Sequence, residues 1–141
     1  MKKNKLIANV DFDFSLLAIS SLMKEYKLAW KLNQQLGIHL IKQPDEIFHF
    51  LGDDKLCISF YHYQTEHSSI RLIFNRSRED TLKRQHLVPE LKQFDYLMLV
   101  DGFEDSLEVH DVRELIRQIE GIQMVNLVDV DQLKSRDNLI F

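Results

Sequence analysis

Twice in this chain an unbroken apolar run is followed by a helix with start and stop signals, then by a glycine and a second apolar segment. The first run, Leu16-Leu17-Ala18-Ile19, follows Phe12-Asp13-Phe14, and the strand reads from Phe12 to Ile19. Ser20 and Ser21 then offer the hydroxyls that suit a helix N-terminus, predicting a helix from Ser21 to Leu36 with Gly37 as its left-handed stop. The second run, Tyr96 to Val100, begins in Phe94-Asp95-Tyr96. Asp105 stands three residues before Glu108, capping-box spacing with Asp in place of Ser or Thr, and predicts a helix from Ser106 to Glu120 ended by Gly121. Ile38-His39-Leu40 and Ile122-Gln123-Met124 are the matching return segments. Each half reads as a β-α-β unit, a crossover of fixed right hand. Two such units predict an α+β fold on the ferredoxin-like plan, one sheet with two main helices on a single face. A differently ordered α+β sheet is the rival arrangement of the same elements.

Between the halves lie two short extended segments, Ile38 to Lys42 and Phe48 to Leu51, and then a β-hairpin. Its strands, Leu56 to Tyr63 and Ile70 to Asn75, are rich in aromatic and β-branched residues and are joined by Gln64 to Ser69. An insertion here would enlarge the sheet. Phe60, Tyr61, Tyr63 and Phe74 fit cross-strand packing, and they also fit a binding surface. Arg76 to His86 is polar with almost nothing to bury, which predicts a mobile loop. On the first helix Leu22, Tyr26, Ala29 and Trp30 share a face widened by Leu28, Leu32 and Leu36, so Trp30 is expected between helix and sheet. Lys24, Lys27, Lys31 and Gln34 form the opposite stripe, either a solvated helix back or a phosphate-binding stripe. On the second helix Val109, Val112, Leu115, Ile116 and Ile119 form the apolar stripe.

A chain of 141 residues fits a single domain spanning 1–141, and 45% apolar content excludes a disordered one. A net charge of −4 argues against a dedicated nucleic-acid binder. Cys57 is the only cysteine, so no intramolecular disulfide can form, and its apolar strand suits a buried thiol. Met1-Lys2-Lys3-Asn4-Lys5 is positive like an export signal, but Leu6 to Val10 is too short an apolar segment to complete one. No apolar run approaches the roughly 20 residues of a membrane helix. A soluble, cytoplasmic protein without a membrane partner is expected.

Chemistry-bearing patterns are sparse. Four glycines, Gly37, Gly52, Gly102 and Gly121, form no phosphate loop, and there is no Gly-x-Ser-x-Gly or Cys-x-x-Cys. His62 and His67 flank a turn containing Glu66, too few ligands for a strong metal site. Asp11 and Asp13 precede the first strand, and Asp95 and Asp101 bracket the later one. Pseudo-symmetry would make Asp13 and Asp95 equivalent. Brought together, they would bind a divalent cation or share a proton; apart, each would serve backbone donors at a turn. Glu90, next to Pro89, suits the first turn of a short helix. The candidate binding residues are therefore Glu90, Asp95, Asp13, Lys27 and Lys31, with no catalytic residue, metal ligand or cofactor assigned.

The stretch Val88-Pro89-Glu90-Leu91-Lys92-Gln93-Phe94-Asp95-Tyr96 resembles the signature of the IPExxxVDY family, small bacterial proteins named for that motif rather than for an activity. Val88 stands for Ile and Phe94 for Val. The resemblance extends to Lys24-Glu25-Tyr26-Lys27-Leu28-Ala29-Trp30 and to Leu133-Lys134-Ser135-Arg136-Asp137-Asn138-Leu139-Ile140-Phe141, and so covers nearly the whole chain. It implies no mechanism. Pro89-Glu90 is expected to start a short turn with Leu91 and Phe94 inward and Lys92 and Gln93 outward. Two functional classes follow. One is a non-enzymatic regulatory or protein-interaction domain. The other is a small enzyme or nucleotide- or metal-binding domain using Asp13 and Asp95 with Lys24, Lys27 and Lys31. The long hairpin, the apolar end Leu139-Ile140-Phe141, and an acidic C-terminal third beside the basic loop also predict a homodimer.

Overall fold

A computed structural model describes residues 14–49, 55–77, 85–102 and 108–140. Among these residues the strands are β1 (Ser15–Ser21), β2 (Ile41–Lys42), β3 (Glu46–His49), β4 (Lys55–Ile58), β5 (Phe60–Gln64), β6 (Ser69–Phe74), β7 (Tyr96–Asp101) and β8 (Ile122–Val128). Two helices, α1 (Glu25–Leu36) and α2 (Val109–Arg117), follow β1 and β7. Six strands make one sheet in the order β2-β5-β6-β7-β1-β8, and every pairing in it is antiparallel. Because β7 and β8 both pair antiparallel with β1, they run in the same direction with β1 between them. β3 and β4 form a separate two-stranded sheet.

Side chains alternate across a strand, so an apolar run without alternation must be covered on both faces. Leu17 and Ile19 face α1 and α2, packing with Leu28, Leu32, Val112, Ile116 and Met98. Leu16 and Ala18 face the other way, into a second core made with Phe48, Leu56, Leu91, Phe94, Val130 and Leu139. The fold is therefore α+β in three layers. Helices cover one face of the sheet, and the β3-β4 ribbon, the signature turn and the C-terminal segment cover the other.

Several sequence expectations change. The strand expected from Leu56 to Tyr63 is two strands in different sheets, broken at Ser59. Ser59 is fully buried, and its hydroxyl donates to the Glu25 carboxylate instead of facing solvent from a continuous strand. α1 starts at Glu25 because Ser21 belongs to β1, where its Oγ accepts from the Met23 N–H and donates to the Gly121 carbonyl. The helix then turns Leu28, Ala29, Leu32 and Leu36 inward. Trp30, expected in the core, is 57% exposed. α2 begins later than expected, with the Glu108 N–H donating to Asp111 Oδ2 at 3.2 Å. Asp105 lies outside the described residues. Gly37 does end α1 in the left-handed conformation, at φ 65°. Gly121 instead lies beyond the end of α2, at φ 100°, where an added Cβ would press within 3.2 Å of Met23.

Candidate functional site

Pro89 opens a single 3-10 turn, Pro89–Leu91, that buries Leu91 and Phe94 in the lower core and leaves Lys92 and Gln93 in solvent. Its backbone is held by a residue that sequence reasoning missed. Asn75, fully buried at the end of β6, accepts from the Val88 N–H at 2.8 Å. Its Nδ2 donates to the carbonyls of Val88, Leu91 and Phe94 at 3.3, 3.1 and 3.4 Å. An asparagine can do this because its carboxamide both donates and accepts. Local sequence gave no sign of it.

The polar residues of the signature divide between two places. Glu90 accepts from both the N–H and the Oγ of Ser135, each at 2.8 Å, and so ties the turn to the C-terminal segment. Burial alone would raise its pKa, but the bonds from Ser135 and neighbouring backbone N–H groups outweigh that and hold the carboxyl below its ordinary range. Asp95 and Tyr96 instead reach the link between β1 and α1. Asp95 Oδ2 accepts from the Ser21 N–H at 3.0 Å, and the Tyr96 hydroxyl donates to the Met23 carbonyl. Burial, then the charges of Glu25 and Asp95, push the Tyr96 phenol well above its ordinary pKa, so it remains a hydrogen-bond donor and supplies no phenolate.

Around these two residues opens a cleft of about 540 Å³. The link residues Ser21 to Lys24 and the first turn of α1 form one wall; Tyr61, Phe74 and Tyr96 form the aromatic floor; Lys42 and Arg76 stand at the rim. The Phe74 and Tyr96 rings pack at 5.3 Å between centroids, tilted by 45°. The Arg76 guanidinium lies 5.8 Å from the Phe74 ring centre and 3.8 Å from Asp95 Oδ1. Lys42 is engaged by Asp45 at 2.9 Å. Anions and cations are thus balanced at this site, and the carboxylate of Asp95 is committed to backbone and to Arg76. Such a surface can hold a chain or ring by contact and hydrogen bonds.

Of the charged candidates singled out from sequence, Asp95 and Lys24 line this cleft, as do Tyr61 and Phe74 from the aromatic set. Glu90 does not. Lys27 is exposed on α1, and Lys31 donates to the Glu120 carbonyl at 3.1 Å, beyond the end of α2, so the lysine stripe is not one site. Asp13 lies outside the described residues. His62 Nε2 sits 3.1 Å from Ser69 Oγ, while His67 turns toward Glu66 at 4.0 Å. Among the described residues, no three His, Cys, Asp or Glu side chains are grouped to hold a metal ion. No helix among them is long and apolar enough to cross a membrane.

Tyr61 and Phe74, read from sequence as packing or binding aromatics, and Arg76 reach the cleft through strand pairing rather than through sequence spacing, which is why their meeting with Asp95 and Lys24 was not legible. Beside the cleft, Leu22, Tyr26 and Trp30 are 86, 67 and 57% exposed. Tyr26 and Trp30 lie one turn apart on α1, and Leu22 stands on the link just before the helix, where it also lines the cleft. No protein-family model matches the chain, and no curated protein or solved structure matches it either.

Proposed function

We propose that this chain is a non-enzymatic protein-interaction domain whose binding surface is the stripe Leu22, Tyr26 and Trp30 together with the adjoining cleft. The observation that carries this reading is the stripe itself, three large apolar side chains in solvent where the helix has its own leucines to bury. Large exposed apolar groups in one line mark contact sites, and Tyr and Trp are favoured as interface anchors. The occupant is an apolar segment of a partner protein carrying acidic residues. Lys24 and Lys27 flank the stripe in solvent and make no ion pair among the described residues. The committed state of Asp95 and Tyr96 supports binding over catalysis. The core strand order β8-β1-β7-β6, with helices after β1 and β7, supports the ferredoxin-like plan, with β2 to β5 as the insertion. On this reading the IPExxxVDY-like signature serves to position the surface. Its Asp95 and Tyr96 fix the β1-α1 link that carries Leu22 and leads into the first turn of α1 with Tyr26, and cytoplasmic signalling or assembly is the role such a surface suits.

The test is affinity capture from lysate with the wild-type chain and with a Leu22→Ser, Tyr26→Ala, Trp30→Ala variant. The expected result is a partner retained by the first and lost by the second, with the thermal midpoint little changed because the side chains are exposed. Equal capture by both would place the binding surface elsewhere.

A further inference from the structure

A sheet edge presents unpaired N–H and C=O groups, and proteins shield such edges with short strands, charge or proline. One edge of this sheet is shielded in that way. β2 is two residues long, contains Lys42 and is followed by Pro44. The other edge is β8. It runs seven residues, Ile-Gln-Met-Val-Asn-Leu-Val, with no charge and no proline, and among the described residues it pairs on one side only, with β1. Met124 and Leu127 on it are 50 and 42% exposed. From 123 to 128, the backbone has one further partner among the described residues, Arg113 Nε on the Val125 carbonyl at 3.0 Å. Of the hairpin that sequence reading offered as the free edge, β5 and β6 are interior to the six-stranded sheet, β5 between β2 and β6 and β6 between β5 and β7, while β4 pairs with β3 in the separate ribbon.

We infer that β8 is the seam of a homodimer, with β8 of a second copy adding antiparallel to it so that the two six-stranded sheets become continuous. Antiparallel pairing of a strand with itself has two-fold symmetry, the arrangement of most soluble dimers. Three features of the molecule fit a second copy in particular. The strand itself carries no charged residue, and the only charge resting on its backbone among the described residues is Arg113 at the Val125 carbonyl, which has to swing aside for the copies to pair. Met124 and Leu127 extend the apolar surface to both faces of the seam, since successive residues of the Leu17↔Leu127 and Ser20↔Met124 register point to opposite sides. The ends are complementary in charge. Lys31, held on the Glu120 carbonyl, stands at the start of β8, and Asp129 and Asp131 follow its end. An antiparallel copy lays each start against the other's end and brings Lys31 near Asp129 twice. Glu120 shares the Lys31 end, so the charge match is partial and the uncharged strand supplies the rest.

Sedimentation equilibrium of the full chain tests this. The wild type is expected to be a dimer at micromolar concentration. Adding charge to the edge by Met124→Lys with Leu127→Lys should weaken dimerisation by about tenfold or more, one such factor corresponding to a single unfavourable charge contact. Both side chains are exposed, and circular dichroism checks that the variant keeps its fold. Lys31→Glu should also weaken the dimer, and Lys31→Glu combined with Asp129→Lys should restore it. Only a seam that apposes the two ends predicts that rescue. A wild-type monomer, a dimer untouched by the edge lysines, or a charge swap that fails to rescue overturns the inference.

Discussion

Asn75 and Phe94 show how single side chains fix the signature turn. Phe94 is 5% exposed in the core beneath the sheet, and Phe94→Ala is expected to cost roughly 3–5 kcal/mol, read as a lowered urea midpoint. Asn75→Ala would leave the Val88 N–H and three carbonyls without their partner, and is expected to cost roughly 2–4 kcal/mol. Asn75→Asp keeps the shape but replaces the donor with an acceptor that faces carbonyls, and it should be at least as damaging. Two histidines add a pH dependence. Burial, then Arg71, lowers the pKa of His62; burial, then Arg76 and Lys92, lowers that of His86 despite Asp95. A folded-state pKa below the unfolded one means that the unfolded chain takes up the proton first. Stability contributed by the neutral imidazoles is therefore full above the ordinary histidine value of about 6.5 and is lost as pH falls from there through the lowered values. Urea midpoints should decline from pH 7 to pH 5.5, and His62→Gln with His86→Gln should flatten that decline.

At the scale of elements, the readable parts were those whose pattern had one solution. Leu16 to Ile19 and Tyr96 to Val100 could only be strands covered twice, and Val112, Ile116 and Ile119 could only be the seat of a helix. α1 had two neighbouring apolar stripes. Periodicity cannot choose between Leu28-Leu32-Leu36 and Leu22-Tyr26-Trp30, because the choice depends on where β1 ends and how the helix is rotated on the sheet. The break at Ser59 was equally silent, since β4 and β5 differ in which sheet they join and not in residue type. The cleft draws on segments scattered from Ser21 to Tyr96, and only pairing registers unite them. The resulting orientation of α1 has a direct optical consequence. Trp30 is the only tryptophan, and at 57% exposure its emission should resemble that of an indole in water and be quenched readily by acrylamide. A blue-shifted, protected emission from the isolated monomer would show that the helix is rotated the other way. Addition of a captured partner should shift this emission to the blue.

The whole molecule is one sheet with a core on each side, and the two cores share the same strands. Losing either cover exposes the same backbone, so unfolding should be a single transition, with tryptophan emission and far-ultraviolet circular dichroism tracing coincident urea curves. The cover beneath the sheet includes the C-terminal segment, where Leu139 is 2% exposed and Asn138 Nδ2 donates to the Leu87 carbonyl at 2.9 Å. Leu139→Ala should therefore cost roughly 2–5 kcal/mol, and it should move both probes together. The position of β1 has a further consequence during synthesis. Leu16 pairs with Leu99 on one side and with Val128 on the other. A ribosome delivers β1 before both of its neighbours, so a strand apolar on both faces waits in the growing chain without its sheet partners until β7, and then β8, emerge. That interval is when a chaperone or a second nascent chain could claim it, and slowing translation after α1 should increase the insoluble fraction more than slowing it after β8.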